Sequence, residues 1–167
     1  IGIHPGCDQL NAYRRWPINN FIKLVQKLTK NKNVKVIIFE GPDEKGILEN
    51  FDKINIVQGK NLTFSELAAI VRRCGIVITT DSGIGHIAAA FKVPTITIFG
   101  PANPNKTKPY GNNGIVITKL NPKFYLDQKK KKFIVNEGIK ALNKTSVEDV
   151  LEAVNKIFAR GIRKNVI

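Results

Sequence analysis

Residues 76–90 read IVITTDSGIGHIAAA, and this stretch decides the fold. Its apolar start is typical of a buried strand, its middle of a tight polar turn, and its small-residue end of a helix. A helix N-terminus carries unpaired N–H groups and a partial positive charge, so it attracts anions. We predict that Ser82 caps this helix and that Gly83 lets a ligand approach its backbone. Asp81 and His86 would then lie beside a phosphate-bearing ligand.

Apolar runs alternate with amphipathic helical patterns along the chain. The runs are continuous, as expected for strands that are covered on both faces. We therefore predict an α/β fold with a doubly wound parallel sheet, in a single domain that covers residues 1–167. The predicted strands are 1–4, 34–39, 54–57, 76–78, 95–99 and 115–117. Residues 119–136 show no clear period, and Ser146 is predicted to cap a last helix.

The composition limits the classes of protein and partner. A net charge of +14 indicates an acidic partner, such as nucleic acid, a phosphorylated substrate or an anionic membrane, or else only a Lys-rich composition that favours solubility. Cys7 and Cys74 form no metal-ligand pattern, and two cysteines favour a reduced, cytosolic setting. The chain contains no methionine and opens on a strand-like segment, so we expect it to be part of a longer protein.

Polar loops follow four of the predicted strands, at residues 5–15, 41–44, 81–86 and 100–105. In a doubly wound sheet these loops meet at one edge. Arg14 or Arg15 would bind phosphates there, and Asp43, Glu44 or Asp81 would bind hydroxyls, which suits a nucleotide diphosphate sugar. No Gly-x-Gly-x-x-Gly follows the first strand and no Walker A sequence is present, which disfavours dinucleotide and P-loop chemistry.

The same residues have plainer interpretations. Asp81 could belong only to a capped strand-to-helix turn, and His86 could be an ordinary helix residue. Arg14 and Arg15 could form a solvated face. Asp43 and Glu44 could do no more than start a short helix. The sequence shows no Ser-His-Asp order, no glycosidase-like acid pair and no metal-ligand spacing, so no metal site is predicted.

Five motifs occur in order, namely HPG at 4–6, RRWP at 14–17, GPDE at 41–44, DSGIGHIAAA at 81–90 and FGP at 99–101. In this combination the sequence resembles the C-terminal half of the family 9 glycosyltransferases, the lipopolysaccharide heptosyltransferases. The resemblance covers nearly all of residues 1–118, and residues 146–158 are similar to the family's closing segment. It implies one Rossmann-like domain of a GT-B enzyme, in which two such domains face each other across a cleft.

The resemblance implies that this domain binds the donor, usually ADP-L-glycero-D-manno-heptose, for an inverting transfer without a metal or cofactor. An N-terminal domain, outside these 167 residues, would bind the lipopolysaccharide core acceptor and supply the catalytic base, so the isolated fragment is expected to be inactive. The enzyme would be cytoplasmic. Its basic charge would hold it on the inner face of the inner membrane, with 129–132 and 160–164 as candidate contacts.

The resemblance also assigns roles by motif position. Arg14 matches a family lysine that neutralises the donor diphosphate, and Arg14 and Asp81 are the catalytic candidates. Asp43 matches an acidic position that contacts the ribose or nucleoside. Asp81 would contact the sugar hydroxyls or organise the turn, and the turn after it would hold the diphosphate. The complete predicted donor-binding set is Gly6, Arg14, Arg15, Asp43, Glu44, Asp81, Ser82, Gly83, His86 and Gly100.

The chain departs from the family pattern at two places. Gly85 stands where the family often has a bulkier residue, and residues 119–136 are Lys-rich where the family often has cysteines. Two alternatives stay open. A non-catalytic nucleotide-sugar-binding module would have no second Rossmann half in its full-length protein. A basic nucleic-acid-binding domain is disfavoured because aromatic interleaving and a recognisable reading motif are missing.

Overall fold

In the part of the chain that the structure describes, six parallel strands form one sheet, as predicted. They are β1 (Gly2–His4), β2 (Ile37–Phe39), β3 (Val57–Gly59), β4 (Val77–Thr80), β5 (Thr95–Phe99) and β6 (Ile115–Thr118). Their order is β3-β2-β1-β4-β5-β6, so the chain builds outward from β1 in one direction and then from β4 in the other. This computed structural model describes residues 1–111, 114–125 and 131–161. The predicted doubly wound parallel sheet is confirmed.

Helices cover both faces of the sheet. They are α1 (Ile18–Leu28), α2 (Phe64–Arg72), α3 (Gly83–Ala90), α4 (Pro104–Thr107), α5 (Lys131–Lys144) and α6 (Val147–Ala159). The apolar residues of α1 and α6 form one core with the strands, and those of α2 and α3 form a second core on the opposite face. None of the described helices combines the length and apolar character needed to cross a membrane.

Trp16 anchors the start of α1 in the first core. Its indole is 1% exposed and packs edge-on against Phe21, with the ring centroids 4.8 Å apart. The indole N–H donates a hydrogen bond to the carbonyl oxygen of Thr145, at 2.9 Å. Because Thr145 lies between α5 and α6, this single side chain ties the loop after β1 to these two helices.

Several elements differ from the predictions, including β4, which extends to Thr80, and α4, which falls where a loop was expected. β2 pairs only from Ile37, because β1 is short and its Gly2 lies opposite that residue. β3 begins at Val57 rather than residue 54, since Ile54 and Ile56 pack against the core before the strand joins β2. α5 was not predicted, because its Lys-rich start and the interruption by Gly138 obscure its helical period.

Candidate functional site

A cleft of about 590 Å³ opens at the carboxyl ends of β1, β2 and β4. The strand order reverses between β1 and β4, which is where open α/β sheets bind ligands. Residues from three of the four predicted loops line the cleft, and Thr107 of α4 joins them. Gly100 does not line it. It packs against α5, where an added Cβ would lie 2.7 Å from Leu142 Cδ1.

The start of α3 forms one wall of the cleft. Ser82 stands at the N-cap position in an extended conformation, but its hydroxyl makes no capping hydrogen bond. Ser82 Oγ instead lies 2.7 Å from Thr79 Oγ1 and 3.1 Å from His4 Nδ1. The prediction of a Ser82 side-chain cap is therefore wrong, because these two neighbours engage the hydroxyl. A Cβ on Gly83 would meet no atom within 4 Å, so the helix backbone is open to the cleft there.

Arg14 and Asp81 form an ion pair in the cleft. Arg14 Nη1 lies 3.2 Å from Asp81 Oδ2, and the two side chains are 28% and 7% exposed. Burial raises the pKa of Asp81 above its ordinary value, against the opposing effects of Arg14, His86 and Thr107. Arg14 Nε is buried and has no hydrogen-bond partner within the described residues. The guanidinium therefore keeps donor capacity beyond its bond to Asp81.

Glu44 is buried, and its carboxylate contacts residues of the first and second loops. Its carboxylate accepts a hydrogen bond from the Gly41 N–H at 3.1 Å, and lies 3.6 Å from His4 Nε2 and 3.9 Å from Arg15 Nη2. Burial alone would raise the pKa of Glu44, but these three partners outweigh it and hold the pKa below its ordinary value. A Cβ at Gly6 would overlap the Glu44 carboxylate, so this glycine makes room for it.

The predicted residues thus fall into two groups. Arg15 holds the first loop against the second, because its Nη2 donates to the carbonyl oxygens of Cys7 at 2.6 Å and Asp43 at 3.4 Å. Gly6 and Arg15 accordingly form internal contacts of the cleft walls, and Glu44 makes such contacts while it also lines the cleft. Arg14, Asp43, Asp81, Ser82, Gly83 and His86 line the cleft, and the side chains of Asp43 and His86 are exposed.

Two of the cleft residues that were not predicted from the sequence contact or affect predicted ones. His4 ends β1 and lies between Ser82 and Glu44, and its position directly before the first polar loop was a usable signal. Thr107 comes from the short helix α4, and its side chain lowers the pKa of Asp81 by hydrogen bonding. No sequence pattern relates Thr107 to the cleft. Within the described ranges, no group of three or more His, Cys, Asp or Glu side chains is placed to hold a metal ion.

Comparison with known proteins identifies the family. The family model described as "Glycosyltransferase family 9 (heptosyltransferase)" matches residues 1–134. The chain belongs to this family. Lipooligosaccharide heptosyltransferase 2 of Haemophilus influenzae is 28% identical over 127 residues, which cover 70% of this chain and 36% of that protein. Lipopolysaccharide heptosyltransferase 2 of Salmonella typhimurium is 28% identical over 125 residues, which cover 70% of this chain and 35% of that protein.

Solved structures of other glycosyltransferases share the fold of this family 9 chain. E. coli ADP-heptose lps heptosyltransferase II superposes with a TM-score of 0.77 at 21% identity, covering 95% of this chain and 46% of that one. The family 9 glycosyl transferase of Veillonella parvula gives 0.80 at 24% identity, with coverage of 96% and 46%. The chain therefore spans about one third of the curated relatives it matches and just under half of these solved chains.

Proposed function

We propose that this chain is the donor-binding half of an inverting, metal-independent glycosyltransferase, and that its cleft holds a nucleoside diphosphate sugar. One observation carries the proposal. The Arg14–Asp81 pair lies beside the open N-terminus of α3, at the point where the strand order reverses. A cation, unpaired helix N–H groups and a carboxylate are thereby placed in one cleft, which suits a ligand with both phosphates and hydroxyls.

The proposed chemistry assigns a task to each of these groups. The leaving nucleoside diphosphate gains negative charge as the sugar departs, and preorganised donors stabilise that charge in the transition state. Arg14 and the first turn of α3 supply those donors. Asp81 binds a sugar hydroxyl, and its pairing with Arg14 limits its repulsion of the phosphates. Exposed Asp43 lines the cleft near its second loop and binds the ribose.

The identity of the donor is proposed from the relatives. Heptosyltransferase WaaC of E. coli, solved with ADP, shares this fold with a TM-score of 0.73 at 16% identity and covers 93% of this chain and 43% of its own. We propose ADP-heptose as the donor and the lipopolysaccharide core as the acceptor of the whole protein. The acceptor site and catalytic base would lie in a domain outside these 167 residues. A full-length protein without such a domain would instead be a nucleotide-sugar-binding module.

A thermal shift experiment tests donor binding. Saturating ADP is expected to raise the melting temperature by roughly 5–10 °C, since ligand at about 100 times Kd stabilises the folded state by about 2.7 kcal/mol. Asp81→Ala should greatly reduce the shift with ADP-heptose. Asp52→Ala is the matched control, because Asp52 is exposed and lies outside the cleft. No shift of the unsubstituted chain with any nucleotide diphosphate would contradict the proposal.

A second cavity favours a further partner, an anionic membrane surface. This lysine groove, about 840 Å³, lies between α1, residues 53–55 and the α5–α6 junction, and contains Lys23, Lys27, Lys30, Lys53 and Lys144. Lys27 pairs with Glu148, but within the described residues no carboxylate lies within 4 Å of the other four. We propose that these four contact acidic lipid headgroups at the cytoplasmic face of the membrane. The earlier candidates 129–130 and 162–164 lie outside the described residues, as do the side chains of 131–132.

Vesicle flotation tests the membrane contact. Replacing Lys23, Lys30, Lys53 and Lys144 with glutamine should weaken association with anionic vesicles at least tenfold, because each lysine near such a surface contributes about 1 kcal/mol. A matched control removes the same charge from four exposed lysines elsewhere, Lys45, Lys60, Lys92 and Lys106. An equal loss of vesicle binding in both variants would show a general charge effect and contradict a specific role for the lysine groove. Tight, salt-sensitive binding of DNA or RNA that ignores ADP would favour the nucleic-acid alternative.

A further inference from the structure

His4 joins two of the loops that form the cleft. Its imidazole is 12% exposed, with Nδ1 lying 3.1 Å from Ser82 Oγ and Nε2 lying 3.6 Å from Glu44 Oε2. Ser82 Oγ also lies 2.7 Å from Thr79 Oγ1. Four side chains from three separate segments therefore form one continuous series, Glu44–His4–Ser82–Thr79, beside the open start of α3.

The Glu44 carboxylate determines where a neutral imidazole keeps its hydrogen. Glu44 is ionised at neutral pH, since its partners hold its pKa below the ordinary value. A hydrogen on Nε2 faces this negative charge favourably, which leaves Nδ1 with a lone pair. Ser82 must then donate its only proton to Nδ1 while it accepts from Thr79. In this state Ser82 can offer a ligand one lone pair but no donor.

Protonation of His4 reverses the direction of these bonds. Both ring nitrogens of an imidazolium carry hydrogens, so Nδ1 donates to Ser82 Oγ. The hydroxyl hydrogen of Ser82 then no longer bonds to Nδ1 and can point toward an anion in the cleft. The added positive charge lies beside Glu44, which Arg15 also faces. The other charged or ionisable groups that line the cleft are Cys7, Asp8, Arg14, Glu40, Asp43, Asp81 and His86.

We propose that His4 is a positioning residue that decides whether Ser82 accepts or donates a hydrogen bond toward the phosphates of a bound nucleoside diphosphate. The inference rests on the proposed function, because it concerns the same ligand in the same cleft. It adds a proton-dependent affinity, in which a proton gained at His4 tightens binding through Ser82.

The first arm of the test uses the ligand-free protein. Nitrogen-15 chemical shifts distinguish the two neutral tautomers of an imidazole from its protonated form. The chain has two histidines, and a His86→Gln variant therefore assigns the signals of His4. We expect neutral His4 to carry its hydrogen on Nε2. A neutral form with the hydrogen on Nδ1 would overturn the inference, whatever the protein binds.

The second arm measures ADP affinity at about pH 8 and about pH 5.5. ADP itself titrates in this range, so the quantity compared at each pH is the Kd of Ser82→Ala divided by that of the unsubstituted chain. This ratio should increase about tenfold at the lower pH, as expected for a hydrogen bond to a charged group. An unchanged ratio would overturn the inference.

The same measurement in a His4→Asn protein tests whether the pH dependence of the Ser82→Ala ratio requires His4. His4→Asn places an amide near the Nδ1 position but cannot titrate, so the Ser82→Ala ratio measured in that background should be equal at both pH values. A ratio that still changes with pH in His4→Asn would overturn the assignment to His4. Failure of the unsubstituted chain to bind ADP at any pH would contradict the proposed function, and the tautomer of His4 would still decide the inference.

Discussion

Replacing Arg14 with alanine is expected to weaken ADP binding about 10- to 100-fold. Hydrogen bonds to charged groups contribute roughly 1.5–3 kcal/mol, and the guanidinium has donors left over after its bond to Asp81. Arg14 lines the cleft together with the start of α3, and its side chain is 28% exposed, so a diphosphate held there would meet its guanidinium. Isothermal titration calorimetry with ADP measures the loss directly.

Two further variants separate charge from geometry. Arg14→Lys keeps the positive charge but loses the planar fork, so we expect a smaller loss than with alanine. Arg72→Ala removes an exposed arginine at the end of α2, away from the cleft, and should leave ADP affinity unchanged. Because Arg14→Ala also leaves Asp81 buried without its partner, unfolding of the ligand-free variant is measured too. A folded Arg14→Ala protein with unchanged ADP affinity would contradict the assignment.

Replacing Gly138 with alanine is expected to lower the free energy of unfolding by roughly 3 kcal/mol, which corresponds to a fall in melting temperature of roughly 6–12 °C. The added Cβ would lie 2.5 Å from Pro101 N and 2.6 Å from Pro101 Cα. These are backbone atoms, so no side-chain rotation relieves the overlap and α5 must move. Thermal unfolding followed by circular dichroism measures the change.

Gly83→Ala is the matched control for this substitution. Gly83 is also helical, but a Cβ there meets no atom within 4 Å. Alanine is favoured over glycine in a helix by about 0.5–1 kcal/mol, so stability should be kept or slightly raised. The same Cβ would occupy the space by which a ligand approaches α3, so ADP affinity should fall. Equal melting temperatures for Gly138→Ala and the unsubstituted chain would contradict the proposed close contact between α5 and Pro101.

The sequence was sufficient to predict the sheet and the edge at which its loops meet. Continuous apolar runs, each followed by polar residues, indicate buried parallel strands, and parallel strands bring their carboxyl ends together. Arg14 and Asp81 were therefore expected in one place, and the structure brings them within 3.2 Å. Their roles toward a donor remain predictions.

Side-chain partners inside the loops could not be predicted in the same way. Ser82 has the residue type and position of a helix cap, but His4, which is 78 residues away, engages its hydroxyl. Most glutamates are exposed, so burial of Glu44 was not expected. The space beside Gly6 allows it. Helix α5 was missed because Gly138, which breaks its period, is required by the close approach of Pro101.

The hydrogen bond from Trp16 to Thr145 constrains the order in which the chain folds during its synthesis. The loop that carries Arg14 is anchored by an indole whose partner lies near the other end of the chain, between α5 and α6. A ribosome-bound chain can pair β1, β2 and β4 early, but it cannot fix Trp16 until Thr145 has left the exit tunnel. The anchor of the Arg14 loop can therefore form only after all six strands of the sheet have been synthesised.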